Sequence, residues 1–165
     1  MTPKHRWSIA SLCALSGLAI AGAAYATATV DWLPKNRQHD CPVVGGYEPG
    51  RALVVCRAPY MGGVHPGKVV NNRCNFGYGG SEIVSNNYRV LRIRGFYDWV
   101  SASGGQVPPG AVVGGQEPGR QLYICRAMHA GGLHPGKIVG NNCNFGYGGS
   151  EITRSQYEVL VTPTY

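Results

Sequence analysis

The sequence predicts an all-β protein, a pseudo-two-fold antiparallel β-sandwich-like unit made of two copies of one repeat. Three observations predict it. The chain aligns with itself without a gap at a shift of 69 residues: Val43–Leu91 falls on Val112–Leu160, with 33 of 49 positions identical. The segments inside each copy are short and rich in β-branched and aromatic residues. Between them stand turn formers, 25 Gly and 11 Pro in 165 residues, well above the usual combined share of about 12%. Two copies suggest one pseudo-symmetric unit, since an open solenoid needs three or more repeats. The copies would pack face to face or exchange strands to share a core.

Residues 1–26 stand apart. Lys4, His5 and Arg6 make a positive start, an uncharged stretch runs from Trp7 to about Ala24, and Ala24-Tyr25-Ala26 ends it. That is the order of a secretory signal peptide, with cleavage expected after Ala26. The expected product is secreted or periplasmic. It spans 27–165 as a single all-β domain, with the first repeat at about 31–94 and the second at about 98–162. Ser8, Ser11, Ser16 and Gly17 weaken the stretch as a spanning helix. No later segment matches it in apolar length, so no transmembrane segment is expected after cleavage.

Within each copy the elements follow in order. Asp31-Trp32 and Asp98-Trp99 lead in, then VVGG at 43–46 and 112–115 and EPGR at 48–51 and 117–120. Leu53–Ala58 and Leu122–Ala127 read as strands. HPGK follows at 65–68 and 134–137, then CNFGYGGSEI at 74–83 and 143–152. Tyr88–Arg94 and Tyr157–Val161 alternate in part, as half-buried strands do. The E-P-G, H-P-G and G-Y-G-G stretches read as turns, because Pro fixes φ and Gly accepts a positive φ. This gives about four short strands per copy. No stretch after the leader keeps a helical period over 11 residues.

Charge and cysteine usage narrow the function. Formal charge is +7, and losing Lys4 and Arg6 with the leader takes it to +5. The basic residues are scattered singly, so no nucleic-acid partner is expected. After cleavage five cysteines remain, in a compartment where disulfides persist. Cys56 and Cys74 are 18 apart, as are Cys125 and Cys143. One disulfide in each copy is the parsimonious connectivity. Exchange between copies, Cys56 with Cys143 and Cys74 with Cys125, stays open. Cys41 is then left over, either free or bridging a homodimer.

These blocks resemble the DM9 repeat, found in tandem in proteins labelled as domain of unknown function 3421. The matching features are the Trp lead-in, V-V-G-G-x-E-x-G-R, L-Y-I-C-R-A, G-G-x-H-P-G-K, Y-G-G-S-E and Y-E-V-L-V. The resemblance covers about residues 30–162. It implies one all-β unit. Some members are mannose-binding lectins that recognise microbes, others pair the repeats with a pore-forming module, and some are labelled farnesoic acid methyltransferases. No pore-forming module is expected, and no glycine-rich loop between strand and helix is read that would hold a methyl donor.

By position, the resemblance implies sugar contact by Glu48 and Lys68 in the first copy and Glu117 and Lys137 in the second. The lectins hold Asp at the acidic position. Glu adds one methylene, which moves the carboxylate by about 1.5 Å and puts the identity of the sugar in question. The chemistry fits on its own terms, since neighbouring hydroxyls can donate to one carboxylate and accept from one ammonium. The bland alternative is a surface ion pair worth about 0–1 kcal/mol. His65 and His134 precede Pro-Gly-Lys and either line the same pocket or brace the turn. Phe76, Tyr78, Phe145 and Tyr147 either stack a sugar ring or belong to the core.

Arg57 and Arg126 lie in apolar strands and need carboxylate partners. Glu82 and Glu151 are the candidates, giving structural ion pairs. No metal is expected, because neither C-x-x-C nor H-x-x-x-H occurs. No cofactor and no enzyme activity are expected, since G-x-S-x-G, H-E-x-x-H and the P-loop are all absent. The leading expectation is an exported carbohydrate-binding, lectin-like module with two similar sites. Its partner would be a glycan or cell-surface carbohydrate, mannose-type first. The alternative is a structural or protein-interaction module without a sugar site.

Overall fold

The structure, a computed structural model, describes residues 27–163. The expected signal segment lies outside the described residues. Each copy contributes seven strands where the sequence suggested about four. In the first they are β1 (Thr29–Pro34), β2 (Val44–Glu48), β3 (Arg51–Tyr60), β4 (Gly63–Val70), β5 (Arg73–Tyr78), β6 (Ser81–Ser85) and β7 (Arg89–Arg94). In the second they are β8 (Asp98–Ser103), β9 (Val113–Glu117), β10 (Arg120–His129), β11 (Gly132–Val139), β12 (Asn142–Tyr147), β13 (Ser150–Arg154) and β14 (Gln156–Val161). A 3-10 turn at Lys35–Arg37 follows β1.

Two-residue turns account for the higher count. Pro49-Gly50 has Gly50 at φ 83°, the Pro-then-Gly signature of a type II turn. Met61-Gly62 has both φ positive, at 47° and 76°, as a primed hairpin turn requires. Asn71-Asn72, at 49° and 61°, does the same, as Asn tolerates. The H-P-G stretch is not a turn. Pro66 lies within β4, where the strand changes partners from β9 at Val64 to β5 at Lys68. A residue without an N–H interrupts the ladder least at such a gap.

All fourteen strands join one antiparallel sheet. The ladder runs from β3 through β4, β5, β6, β13, β12, β11 and β2 back to β3, which makes it barrel-like. Closure leaves β1 and β8 as the two end strands, each paired on one side only. The copies hold each other at three pairings: Tyr47 with Leu133, Val64 with Gln116 and Ser81 with Ser150. The paired glycines make this approach feasible. A Cβ on Gly46 would stand 1.9 Å from the Leu133 carbonyl oxygen, and one on Gly115 would stand 1.9 Å from that of Val64.

Each copy has its own core, around Phe76 and Val90 in the first and Phe145 and Val159 in the second. A third cluster is common to both: Val43, Val55 and Leu91 with Val112, Ile124 and Leu160. Disulfides Cys56–Cys74 and Cys125–Cys143 cross-link β3 to β5 and β10 to β12 inside each copy, which rejects the exchanged connectivity. Cys41 is not left over, as no described cysteine is free.

The expected ion pairs of Arg57 with Glu82 and Arg126 with Glu151 are not formed. Arg126 pairs with Glu158, its cross-strand neighbour, at 2.6 Å. Both arginines lie over a lead-in Trp, Arg57 over Trp32 and Arg126 over Trp99, each 4.2 Å from a ring centroid. Glu82 and Glu151 instead cross to the opposite copy. Glu82 accepts the Gly149 N–H and Glu151 the Gly80 N–H, both at 2.9 Å. Gly146 and Gly77 leave room for these side chains, since a Cβ on either would meet the crossing Glu at 2.6 Å.

Candidate functional site

The HPGK strands position the site. Residues three apart on a strand face opposite sides, so β4 sends His65 one way and Lys68 the other. β11 does the same with His134 and Lys137. Two clusters result, each drawn from both copies. In one, Lys137 and Glu117 of the second copy meet His65 of the first. In the other, Lys68 of the first copy meets His134 of the second.

The ammonium groups are buried. Lys68 is 2% exposed and Lys137 1%. Lys68 Nζ lies 2.8 Å from His134 Nδ1, and Lys137 Nζ lies 2.9 Å from His65 Nδ1. The other ring nitrogen sets the tautomer. His65 Nε2 faces the Tyr60 carbonyl oxygen at 3.0 Å, and His134 Nε2 faces that of His129 at 3.0 Å. A carbonyl only accepts, so each Nε2 donates and each Nδ1 accepts from lysine.

The carboxylates are less buried than the lysines, with the Glu48 side chain 13% exposed and that of Glu117 11%. Glu117 Oε1 is 3.4 Å from Lys137 Nζ and 3.4 Å from His65 Nδ1. Arg120 fixes it, with Nε donating to Oε2 at 2.7 Å and Nη2 donating to the same oxygen. In the other cluster Arg51 Nε lies 2.7 Å from Glu48 Oε1. Aromatic rings form the walls. His65 stacks on Phe76 at 5.2 Å, and Tyr78 meets His65 edge-on at 5.1 Å. Phe145 and Tyr147 take the same places around His134. Lys137 Nζ is 5.2 Å from the Tyr78 ring centre, and Lys68 Nζ 5.2 Å from that of Tyr147.

Burial and charge set the protonation. Burial lowers the pKa of Lys68 and of Lys137, against the pull of Glu48 on the first and Glu117 on the second. Burial first, and then the Lys68 charge, pushes His134 down to about 4. Burial and Lys137 lower His65 in the same way. Burial alone would raise the Glu117 carboxyl, but the Arg120 hydrogen bonds and the Lys137 charge outweigh it and hold it low. At neutral pH the imidazoles of His65 and His134 are therefore neutral, and in one cluster the Glu117 carboxylate stands charged beside Lys137. Such an arrangement suits a neutral ligand with adjacent donors and acceptors.

Glu117 and Lys137, singled out in the sequence, thus stand side by side. His65 and His134 each serve the opposite copy's lysine. Phe76 and Phe145 are buried in the core, and Tyr78 and Tyr147 lie half-buried beside the lysines. Arg51 and Arg120 were not foreseen, although their i+3 placement after Glu across a Pro-Gly turn was the available signal. Neither was Asn144, opposite Lys137, whose Oδ1 is buried without a hydrogen-bond partner. Among the described residues, no three His, Cys, Asp or Glu side chains gather as a metal site.

Comparison with known proteins fits this duplicated architecture. The DM9 repeat profile matches residues 47–141 and 116–165. The chain belongs to the DM9 repeat family. Among solved structures, this DM9 chain is similar to the nematode sperm cell motility protein MFP2B, with a TM-score of 0.60 at 19% identity. That likeness covers 88% of this chain and 49% of the other, so the DM9 chain spans about half its neighbour's length and shares its fold. No curated protein matches by sequence. Among the described residues of the DM9 chain, no helix is long and apolar enough to cross a membrane.

Proposed function

We propose that this DM9 protein is an exported carbohydrate-binding module with two like sites, and that mannose-type glycan is its ligand. One observation carries the reading: in the cluster built on Glu117, a buried ammonium and an arginine-held carboxylate stand 3.4 Å apart against aromatic rings. Vicinal hydroxyls of a pyranose can donate to that carboxylate and accept from that ammonium, while the ring's apolar face lies against Tyr78. The same residue types recur around Lys68. Two weak sites on one chain raise avidity on a glycan surface without new contacts.

A glycan array of the folded protein tests the reading. Mannose-terminated glycans should bind, and Glu48→Gln with Glu117→Gln should remove the signal while circular dichroism shows the variant still folded at the assay temperature. A folded parent with no glycan signal overturns the reading and leaves a protein-interaction module.

A further inference from the structure

The copies differ in charge at one cross-strand position. In the second, Arg126 on β10 faces Glu158 on β14 and donates to it. At the equivalent place in the first, Arg57 on β3 faces Arg89 on β7. The scaffold is otherwise the same, down to the Trp beneath each inner arginine. Arg57 makes no hydrogen bond or ion pair with any described residue. Arg89 gives one N–H to the Trp32 carbonyl oxygen at 3.2 Å. Like charges directly opposite each other destabilise an antiparallel pair. Burial, and then the Arg89 charge, lowers the Arg57 pKa. A guanidinium nonetheless keeps its proton in proteins, so the two charges stay opposed, and an anion placed between them would relieve the repulsion. Glu158 shows what the scaffold accepts there, a carboxylate bonded to the inner guanidinium.

Arg89 also lines a groove of about 530 Å³ with Lys35, Asn36, Gln38, Asn72 and Tyr88. No carboxylate lines it. The Lys35 ammonium lies 5.4 Å over the Tyr88 ring. The Tyr88 hydroxyl lies within hydrogen-bond distance of Gln38 Oε1 at 3.0 Å and Asn72 Oδ1 at 3.1 Å, which orders both carboxamides. Carboxamides pair with hydroxyls as both donor and acceptor. Gln38 Nε2 also donates to Asn72 Oδ1 at 3.1 Å, so the groove runs from this carboxamide pair to Arg89.

We infer that Arg57 and Arg89 together bind the anionic group of an acidic saccharide, a uronate carboxylate or a sulfate ester, with its hydroxyls in the groove that Arg89 lines. The site belongs to the first copy alone, because Glu158 fills the equivalent role in the second. It does not rest on the Glu–Lys–His clusters, to which none of these residues belongs.

The test is calorimetric titration of the full protein with four probes: a heparin-derived tetrasaccharide, tetragalacturonate, mannotetraose and sodium sulfate. At least one acidic tetrasaccharide should bind, and which one identifies the anionic group. Arg89→Glu recreates the arrangement of the second copy. It should weaken that binding at least tenfold, keep the melting temperature at or above the parent's, and leave any mannotetraose binding unchanged. Arg94→Glu makes the same charge change five residues along β7, about 17 Å away at the usual strand rise, and should alter acidic binding less than twofold. Equal binding by Arg89→Glu and parent overturns the inference, as does an equal loss in Arg94→Glu. Binding of sulfate ion with no tighter binding of either acidic saccharide overturns it too.

Discussion

Lys68 Nζ lies 2.8 Å from His134 Nδ1, although 66 residues separate them and they belong to different repeats. Lys137 and His65 repeat the contact at 2.9 Å. Neither copy completes a cluster alone, so the duplication builds both clusters by crossing between copies.

The imidazoles give a pH signature. His134 is held near 4 in the fold against an ordinary 6.5, so the unfolded chain takes up a proton that the fold resists. The stability due to a neutral His134 is complete above about pH 6.5 and is lost as pH falls toward 4. Melting temperature should be flat above pH 7 and drop across that window. His134→Asn should flatten the drop, measured by thermal scans from pH 8 to 4. An unchanged drop in the variant would assign the pH dependence to other groups.

The close approach of the copies gives a steric prediction. Gly46→Ala puts a methyl 1.9 Å from a carbonyl oxygen across the repeat boundary. It should cost more than about 4 kcal/mol or prevent folding. Gly79→Asn, at φ 60° with nothing within 4 Å of its Cβ, should cost far less. Denaturant unfolding of the two variants checks this contrast.

The crossing glutamates give another. Glu151 accepts the Gly80 N–H of the opposite turn and the Asn144 side-chain amide at 3.0 Å. Glu151→Ala leaves both donors without their charged acceptor, at about 1.5–3 kcal/mol. Hydrogen exchange should show the Gly80 amide losing protection in that variant. Full protection would show that the carboxylate does not hold this turn.

Each disulfide closes a loop across a separation of 18 residues, worth about 3 kcal/mol in the chain-entropy model. Cys125→Ala with Cys143→Ala should lower unfolding free energy by about that amount. Chemical denaturation beside the parent measures it.

Much of this was legible in the sequence, and the rest was hidden for physical reasons. The all-β class followed from β-branched runs broken by Pro-Gly and Gly-Gly turns. The disulfides within each copy were the parsimonious choice. The turn at Asn71-Asn72 was hidden because Asn, unlike Gly, does not announce a positive φ. Pro66 misled in the other direction, as an interruption that the strand absorbs where its partner changes. The larger gap concerns the sites. Both copies carry Glu, Lys, His and the aromatic residues at equivalent positions, so a site within one copy and a site across both read identically. Only the β2–β11 and β4–β9 pairings decide between them. The same degeneracy hid the crossing of Glu82 and Glu151.

The most direct measurement is the mannose stoichiometry of double variants by calorimetric titration. Glu117→Gln with Tyr78→Ala damages one composite site and should leave one binding event per chain. Glu117→Gln with Tyr147→Ala lies wholly in the second copy but damages both composite sites, and should leave none. The reverse pattern, with the second pair retaining one site and the first retaining none, would contradict the account.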